Sequence, residues 1–459
     1  MKKAILLGIW ATAILVSFSE NPWDWMFSSL AIALFIGLFL QRRQFPVLLL
    51  ALLMPLAEIV LSLLSAELED QTLQSMFGPG GPIAYRLSIG AYVLFIIGMS
   101  WVLKSKHCFV IRESDSRVLE QVPLRNLVFG HLGAHALFFI SQMTFGYGSS
   151  LYQLTVHLRD LPLIFLYLIV WKYMIERRFA LLVWVIFLSN LFLRITGFFS
   201  EWKDLLFLIV FVVFVVSADF DKRWFRRISI IGMLGGGALM TWQGVKAEYR
   251  SYLNGGARNQ RVVVGAYDAF WQFAELSQAF WNEESQDDVS KEVLESTLNR
   301  IGYLEFFALT VERVPDVLPH ECGRLITSNL EFALVPRILN PNKGYKNDQW
   351  KVERYANVPI ADSSSFSLGR YAEWYVDFGS LMLLMALIMG ALGGWIVRFV
   401  SRNDSPRSRL LDVIFLVLLL QNFCSYQLDE IVIYGQTFWA LVVYESFGRR
   451  LLLMIFNPN

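Results

Sequence analysis

Residues 45–65 read FPVLLLALLMPLAEIVLSLLS, an unbroken apolar run with one charged position. A run that long crosses a bilayer as a helix, because backbone N–H and C=O groups in hydrocarbon must be satisfied within the segment. Similar runs lie to either side. They fall near 3–19, 23–40, 82–103, 124–144, 151–173, 179–199, 202–218 and 226–244, and again near 379–400, 408–425 and 430–447. One polar stretch separates the two groups. The expected fold is therefore an all-α polytopic membrane protein with about twelve transmembrane helices. Its expected parts are spans 1–9 over residues 1–244, a large and mostly helical outer loop over 245–378, and spans 10–12 with the C-terminus over 379–459. A charged fraction of 17% and a mean hydropathy of +0.47 exclude a string of soluble domains. The net charge of +1 implies no nucleic-acid partner.

Orientation follows from the short connections. Lys2 and Lys3, Arg42 and Arg43, Lys104 to Arg125, Lys172 with Arg177 and Arg178, Lys222 to Arg227, Arg398 to Arg409, and Arg449 with Arg450 fall on one face. The opposite connections (20–23, 66–81, 147–150 and 426–430) carry no Lys or Arg. The positive-inside rule then puts both termini in the cytoplasm and the large loop outside. The N-terminal run lacks a small-residue cleavage site at 17–21 and reads as a retained anchor. Cys108, Cys322 and Cys424 fall in three different compartments, so neither a disulfide framework nor a metal cluster is expected.

Several charges lie within the spans. Arg159 and Asp160 sit about eight residues into the sixth run, roughly 12 Å deep at 1.5 Å per residue. An arginine at mid-membrane costs on the order of 3 kcal/mol and normally faces a partner or a polar cavity. Arg194 lies near the outer end of the seventh run, Arg86 opens the fourth and Lys203 the eighth. Snorkelling to the outer headgroups is the plain reading for Arg86 and Lys203 and the favoured one for Lys203. Arg159 and Arg194 together suggest an outward-facing anion site, since the planar guanidinium donates two hydrogen bonds to a phosphate at once. His131 and His135, at i and i+4 beside Gly130 and Ala134, read as a helix-packing face rather than a metal site.

In the loop, residues 259–316 show apolar positions at three- and four-residue spacing, the mark of amphipathic helices. Tyr267, Phe270, Trp271, Phe280 and Trp281 could form a core or a sugar-stacking wall, and core is the expected reading. Next come His320, Glu321 and Arg324, then VPRILNPNKGYKNDQW from Val335 to Trp350, then SLGRYAEWYVDFGS from Ser367 to Ser380. Two prolines stiffen the segment that presents Arg337 and Lys343. Ser367 is placed to cap a short helix on which Arg370, Glu373 and Asp377 share a face. Glu373 and Asp377 repel each other unless a cation lies between them, and such crowding raises a carboxylate's pKa, which suits a general base.

The order PR-x-L-x-P-x-K, a serine-rich turn, then G-x-x-x-E-x-Y-x-x-FG before a span resembles polysaccharide repeat-unit polymerases of the Wzy type. Here it is Pro336, Arg337, Leu339, Pro341 and Lys343, then Ser363–Ser365, then Gly369, Glu373, Tyr375, Phe378 and Gly379. Gly344 stands where that pattern has proline. The resemblance implies a GT-C-like membrane fold in the bacterial cytoplasmic membrane, with the large loop periplasmic. It also implies transfer of oligosaccharide blocks carried on undecaprenyl pyrophosphate, without metal or other cofactor. Membrane lipid is an implied partner and a chain-length regulator a candidate one. Under this reading Glu373 is the first candidate for the base that activates the acceptor hydroxyl, with His320 and Asp377 behind it. Arg159, Arg194, Arg324, Arg337, Lys343 and Arg370 are the candidates for holding pyrophosphate or sugar.

Three other readings share these features. A ligase moving finished polymer onto another lipid differs only in its acceptor. An enzyme using lipid-monophosphate sugars would carry acids in its first outer loop, where Glu20 and Asp24 lie; in so short a turn they read as solvated ends. A transporter of lipid-linked oligosaccharide would also want buried arginines, but not so large an outer segment. The Asp219-Phe-Asp221 triplet has no nucleotide-binding domain around it and is read as coincidence.

Overall fold

The computed structural model of the chain describes residues 19–39, 46–103, 113–144, 158, 161–198, 202, 205–206, 208–210, 212, 222–257, 262–283, 303–335, 339–340, 348–360, 367–402, 405–423 and 430–450. The first expected span, most of the eighth, Arg159, Asp160, Lys203, Arg337, Lys343 and the Asp219–Asp221 triplet lie outside these residues. Among the described residues there are helices and no strand. The first group comprises α1 (Pro22–Leu38), α2 (Pro46–Leu68), α3 (Leu73–Phe77), α4 (Gly81–Val102), α5 (Glu113–Gln121), α6 (Leu124–Thr144), α7 (Leu161–Glu176), α8 (Ala180–Ile195) and α9 (Lys222–Leu253). The polar stretch contributes α10 (Ala266–Glu283), α11 (Glu305–Arg313), α12 (Arg324–Leu334), α13 (Gln349–Lys351) with a wider turn over Val352–Ala356, and α14 (Arg370–Phe378). The chain closes with α15 (Met382–Val400), α16 (Pro406–Phe423) and α17 (Glu430–Val443). Three described stretches, Leu48–Leu68, Gly81–Val102 and Arg370–Val400, are long and apolar enough to cross a membrane.

The most extensive helix pair is α4 with α15, and glycine makes it. A Cβ on Gly98 would run into the Leu387 carbonyl, one on Gly390 into that of Phe95, and one on Gly394 into that of Met99. Small residues let helix backbones touch where no hydrophobic force drives them together. The contacts advance in step along both helices, so α4 and α15 run parallel.

The stretch 370–400 is not one straight rod. Arg370 and Tyr371 line the same narrow cavity as Tyr92, Phe95 and Met99 of α4 and Leu48, Leu52 and Pro55 of α2. Gly394 also lies on Met99, and a straight helix would hold residues 370 and 394 about 36 Å apart. The chain folds back at Gly379, whose φ of +58° belongs to the left-handed region that glycine adopts without strain. Helix α14 consequently lies beside the middle of α4.

Helix α12 follows it downward. Its first turn meets Asp377, and its last turn meets α17, where Ala333 packs on Gly435 and the Trp439 indole donates to the Leu334 carbonyl at 3.2 Å. Tyr434 in turn donates to the Met389 carbonyl of α15 at 2.7 Å. Ala333 is thus level with the middle of α15, and the second half of the polar stretch is threaded among the apolar helices.

The first half behaves differently. Helix α10 lies along α9, with Phe273 between Trp242 and Tyr249, Phe280 over Gly244, and Trp281 donating to Thr241 at 3.0 Å. Of the five aromatics expected in its core, Phe270 and Phe280 are partly covered, whereas Tyr267, Trp271 and Trp281 are exposed. The reason is geometric: α9 and α8 cover only one side of α10.

Two polar contacts refine the expectations for the spans. Arg86 does not stand alone at its helix end; its guanidinium takes both oxygens of buried Asp24 in α1, at 2.8 and 3.3 Å. His131 Nδ1 lies 3.0 Å from the Pro162 carbonyl, and Asn190 bridges the two imidazoles, 3.1 Å from His131 and 3.3 Å from His135. Gly130 lets Phe165 close the same α6–α7 seam, so this histidine face does pack helices.

Candidate functional site

Gly369, with φ +91°, opens α14 with no side-chain cap; Ser367 instead donates its N–H to the Tyr303 hydroxyl at 3.1 Å. The i, i+3, i+7 spacing does put Arg370, Glu373 and Asp377 on one face. That face is buried, the three residues being 3%, 3% and 1% exposed. A buried charge needs a partner and hydrogen bonds, since desolvation costs several kcal/mol per ion. Both carboxylates have them.

Glu373 is clamped on both oxygens. Lys351 Nζ lies 2.9 Å from Oε1, and the Asn329 amide donates to Oε2 at 2.8 Å. The ammonium also reaches Asp348 Oδ1 at 3.0 Å and Asn329 Oδ1 at 3.3 Å, so each of its three N–H groups has an acceptor. Lys351 and Asn329 are themselves buried. This network ties α12, α13 and α14 together.

Asp377 has another task. Its carboxylate accepts the N–H of Leu325 at 3.1 Å and of Ile326 at 2.9 Å. The first N–H groups of a helix lack intrahelical partners and favour negative charge. Asp377 therefore caps α12 from a neighbouring helix, and the repulsion expected between the two carboxylates is relieved separately for each. Asp377→Asn keeps one acceptor but sets an NH2 donor against the other N–H, so it should cost about 1 kcal/mol. Asp377→Ala should cost about 1–2 kcal/mol, read as a lower unfolding temperature of the detergent-purified protein.

His320 sits at the reversal. Its Nδ1 lies 3.3 Å from the Val376 carbonyl and its ring meets Tyr375 edge-on at 5.6 Å. Donation from Nδ1 leaves Nε2 as an acceptor, and Nε2 lies over Gly379, where a Cβ would collide with it. Tyr375 completes the wall by donating to the Val314 carbonyl at 3.1 Å.

The structure thus brings together Glu373, Asp377, His320, Arg324 and Arg370. Arg194 belongs elsewhere, in the last turn of α8 near His135. Arg159, Arg337 and Lys343 lie outside the described residues. The sequence reading missed Asn329, Asp348 and Lys351. The one available signal was Asp348-x-x-Lys351, a one-turn acid–base spacing, beside the stated need for a cation near Glu373. No family model, curated protein or solved structure matches this chain.

Proposed function

We propose that the chain is a membrane glycosyltransferase, a GT-C-like polymerase of about twelve spans that joins oligosaccharide blocks carried on a lipid pyrophosphate. The observation that carries this reading is the clamped Glu373–Lys351 pair. Its carboxylate lies on the helix bearing the G-x-x-x-E-x-Y-x-x-FG pattern, and the pair is sunk among apolar helices instead of pairing at a surface. A carboxylate and an ammonium held in fixed geometry, away from water, suit a reaction in which charge moves from an attacking hydroxyl to a departing pyrophosphate.

In this reading the acceptor hydroxyl attacks the anomeric carbon, the bond to pyrophosphate breaks, and the hydroxyl proton passes to a base. Geometry reorders the candidates for that base. Asp377 is occupied by the α12 N-terminus and Glu373 by Lys351 and Asn329, whereas His320 retains a ring nitrogen with no hydrogen-bond partner among the described residues. His320 becomes the base and Glu373 the group that fixes Lys351. His320→Gln should then lower the polymerisation rate at least 100-fold with normal protein levels. Reconstitution of the purified protein with a lipid-pyrophosphate oligosaccharide, followed by sizing of products, tests the whole reading. A ladder spaced by repeat units is expected; its absence with an active substrate preparation would refute a polymerase.

A transporter of the same lipid-linked sugars is the second reading, favoured by the position of Arg370, Glu373 and Lys351 between helices. It would move labelled lipid across a proteoliposome without lengthening it. Transfer to a different lipid acceptor would indicate a ligase.

A further inference from the structure

Next to the buried pair, two arginines share one carboxylate. Arg324 Nε lies 3.0 Å from Glu321 Oε2, and Arg354 Nη2 lies 3.4 Å from Oε1. The arginine side chains are 61% and 47% exposed, whereas that of Glu321 is only 12% exposed. Glu321 is fixed from two directions. Its N–H donates to the Val376 carbonyl at 2.9 Å, and the Tyr355 hydroxyl donates to Oε1 at 2.6 Å. Burial first, and the bond to Glu321 second, push the Tyr355 hydroxyl up to about 12, so this donor persists across the physiological range.

One carboxylate therefore steadies one edge of each guanidinium, and Arg354 also lies over the Tyr355 ring at 5.5 Å, while both arginine side chains stay exposed. At the surface two guanidinium groups face one carboxylate, since buried Asp377 behind Arg324 is turned to the N–H groups of Leu325 and Ile326. Arg324 is also the first residue of α12, where the helix field disfavours a cation. A surface ion pair would need only one of the two arginines. Beside them Trp350 is 42% exposed and its ring lies 6.2 Å from that of Tyr355. An exposed indole adjoining a cationic fork matches a sugar ring that bears an acidic group.

We propose that this exposed cluster binds a glycan through an anionic substituent, a sugar carboxylate or a phosphate, gripped by Arg324 and Arg354 while the ring stacks on Trp350. The glycan follows from the polymerase reading; the anion site rests on the geometry alone. Binding of the full-length, detergent-purified protein to oligogalacturonate, to maltohexaose phosphorylated at O6 and to unmodified maltohexaose tests it without requiring turnover. At least one charged probe should bind ten times more tightly than maltohexaose, and the better of the two names the acidic group. Arg324→Gln/Arg354→Gln should lose that preference at least tenfold. Equal binding of all three probes by the unaltered protein, or full binding by a folded double variant, would overturn the proposal. Neither result depends on whether a polymer ladder forms.

Discussion

Lys351→Met is expected to destabilise the protein by about 3–5 kcal/mol, because it strands the Glu373 carboxylate in a buried site without its cation. Glu373→Leu should do less harm, since Asp348 still lies 3.0 Å from the ammonium. The informative variant is the pair, Lys351→Met/Glu373→Leu. Replacing both charges by apolar side chains of similar size is often neutral, but here Asn329 loses both side-chain partners and Asp348 its cation, so the double variant should recover only part of the lost stability. Polymer formation should not return, since under the proposed chemistry the ammonium is needed while pyrophosphate departs. Thermal unfolding in detergent reads the first quantity and the product ladder the second. A double variant that regained both would make the network a structural brace and nothing more.

Gly390→Val is expected to cost more than about 3 kcal/mol, above the usual range for overpacking. The new Cβ would have to occupy the position of the Phe95 carbonyl, and neither backbone can yield without separating α4 from α15. Loss of folded protein from the membrane fraction is the readout. Gly236→Ala in α9 is the matched control, since nothing lies within 4 Å of its would-be Cβ. That substitution should be neutral or stabilise by a few tenths of a kcal/mol through helix propensity. If the two behaved alike, close backbone approach would not be what holds the α4–α15 seam.

The apolar helices were legible because each carries its own signal. The runs at 82–103 and 124–144 became Gly81–Val102 and Leu124–Thr144, and 45–65 became Pro46–Leu68. Burial in lipid selects for composition, and composition can be read locally. The face formed by Arg370, Glu373 and Asp377 was legible for the same reason, through helical periodicity. What that face meets was not. Asn329 lies 44 residues from Glu373 and Lys351 lies 22 away, and no local pattern encodes such a pairing. The fold at Gly379 was hidden too: its φ is permitted by glycine but not announced by it, and the continuous apolar run beyond it reads as a simple re-entry. Trp271 and Trp281 show the opposite error, since apolar spacing predicts a buried side without saying how many neighbours will cover it.

The contact between α12 and α17 sets an order of events during synthesis. Helix α17 leaves the ribosome roughly a hundred residues after α12, yet Trp439 is the donor that satisfies the Leu334 carbonyl and Gly435 is the surface that receives Ala333. Until then the Leu334 carbonyl lacks that donor and Ala333 that surface. Helix α12 is also too short to be inserted as a span in its own right. The seating of α12 therefore waits for α17, and a nascent chain stopped short of Glu430 would hold every residue of the Glu373 cluster without the helix that seats it.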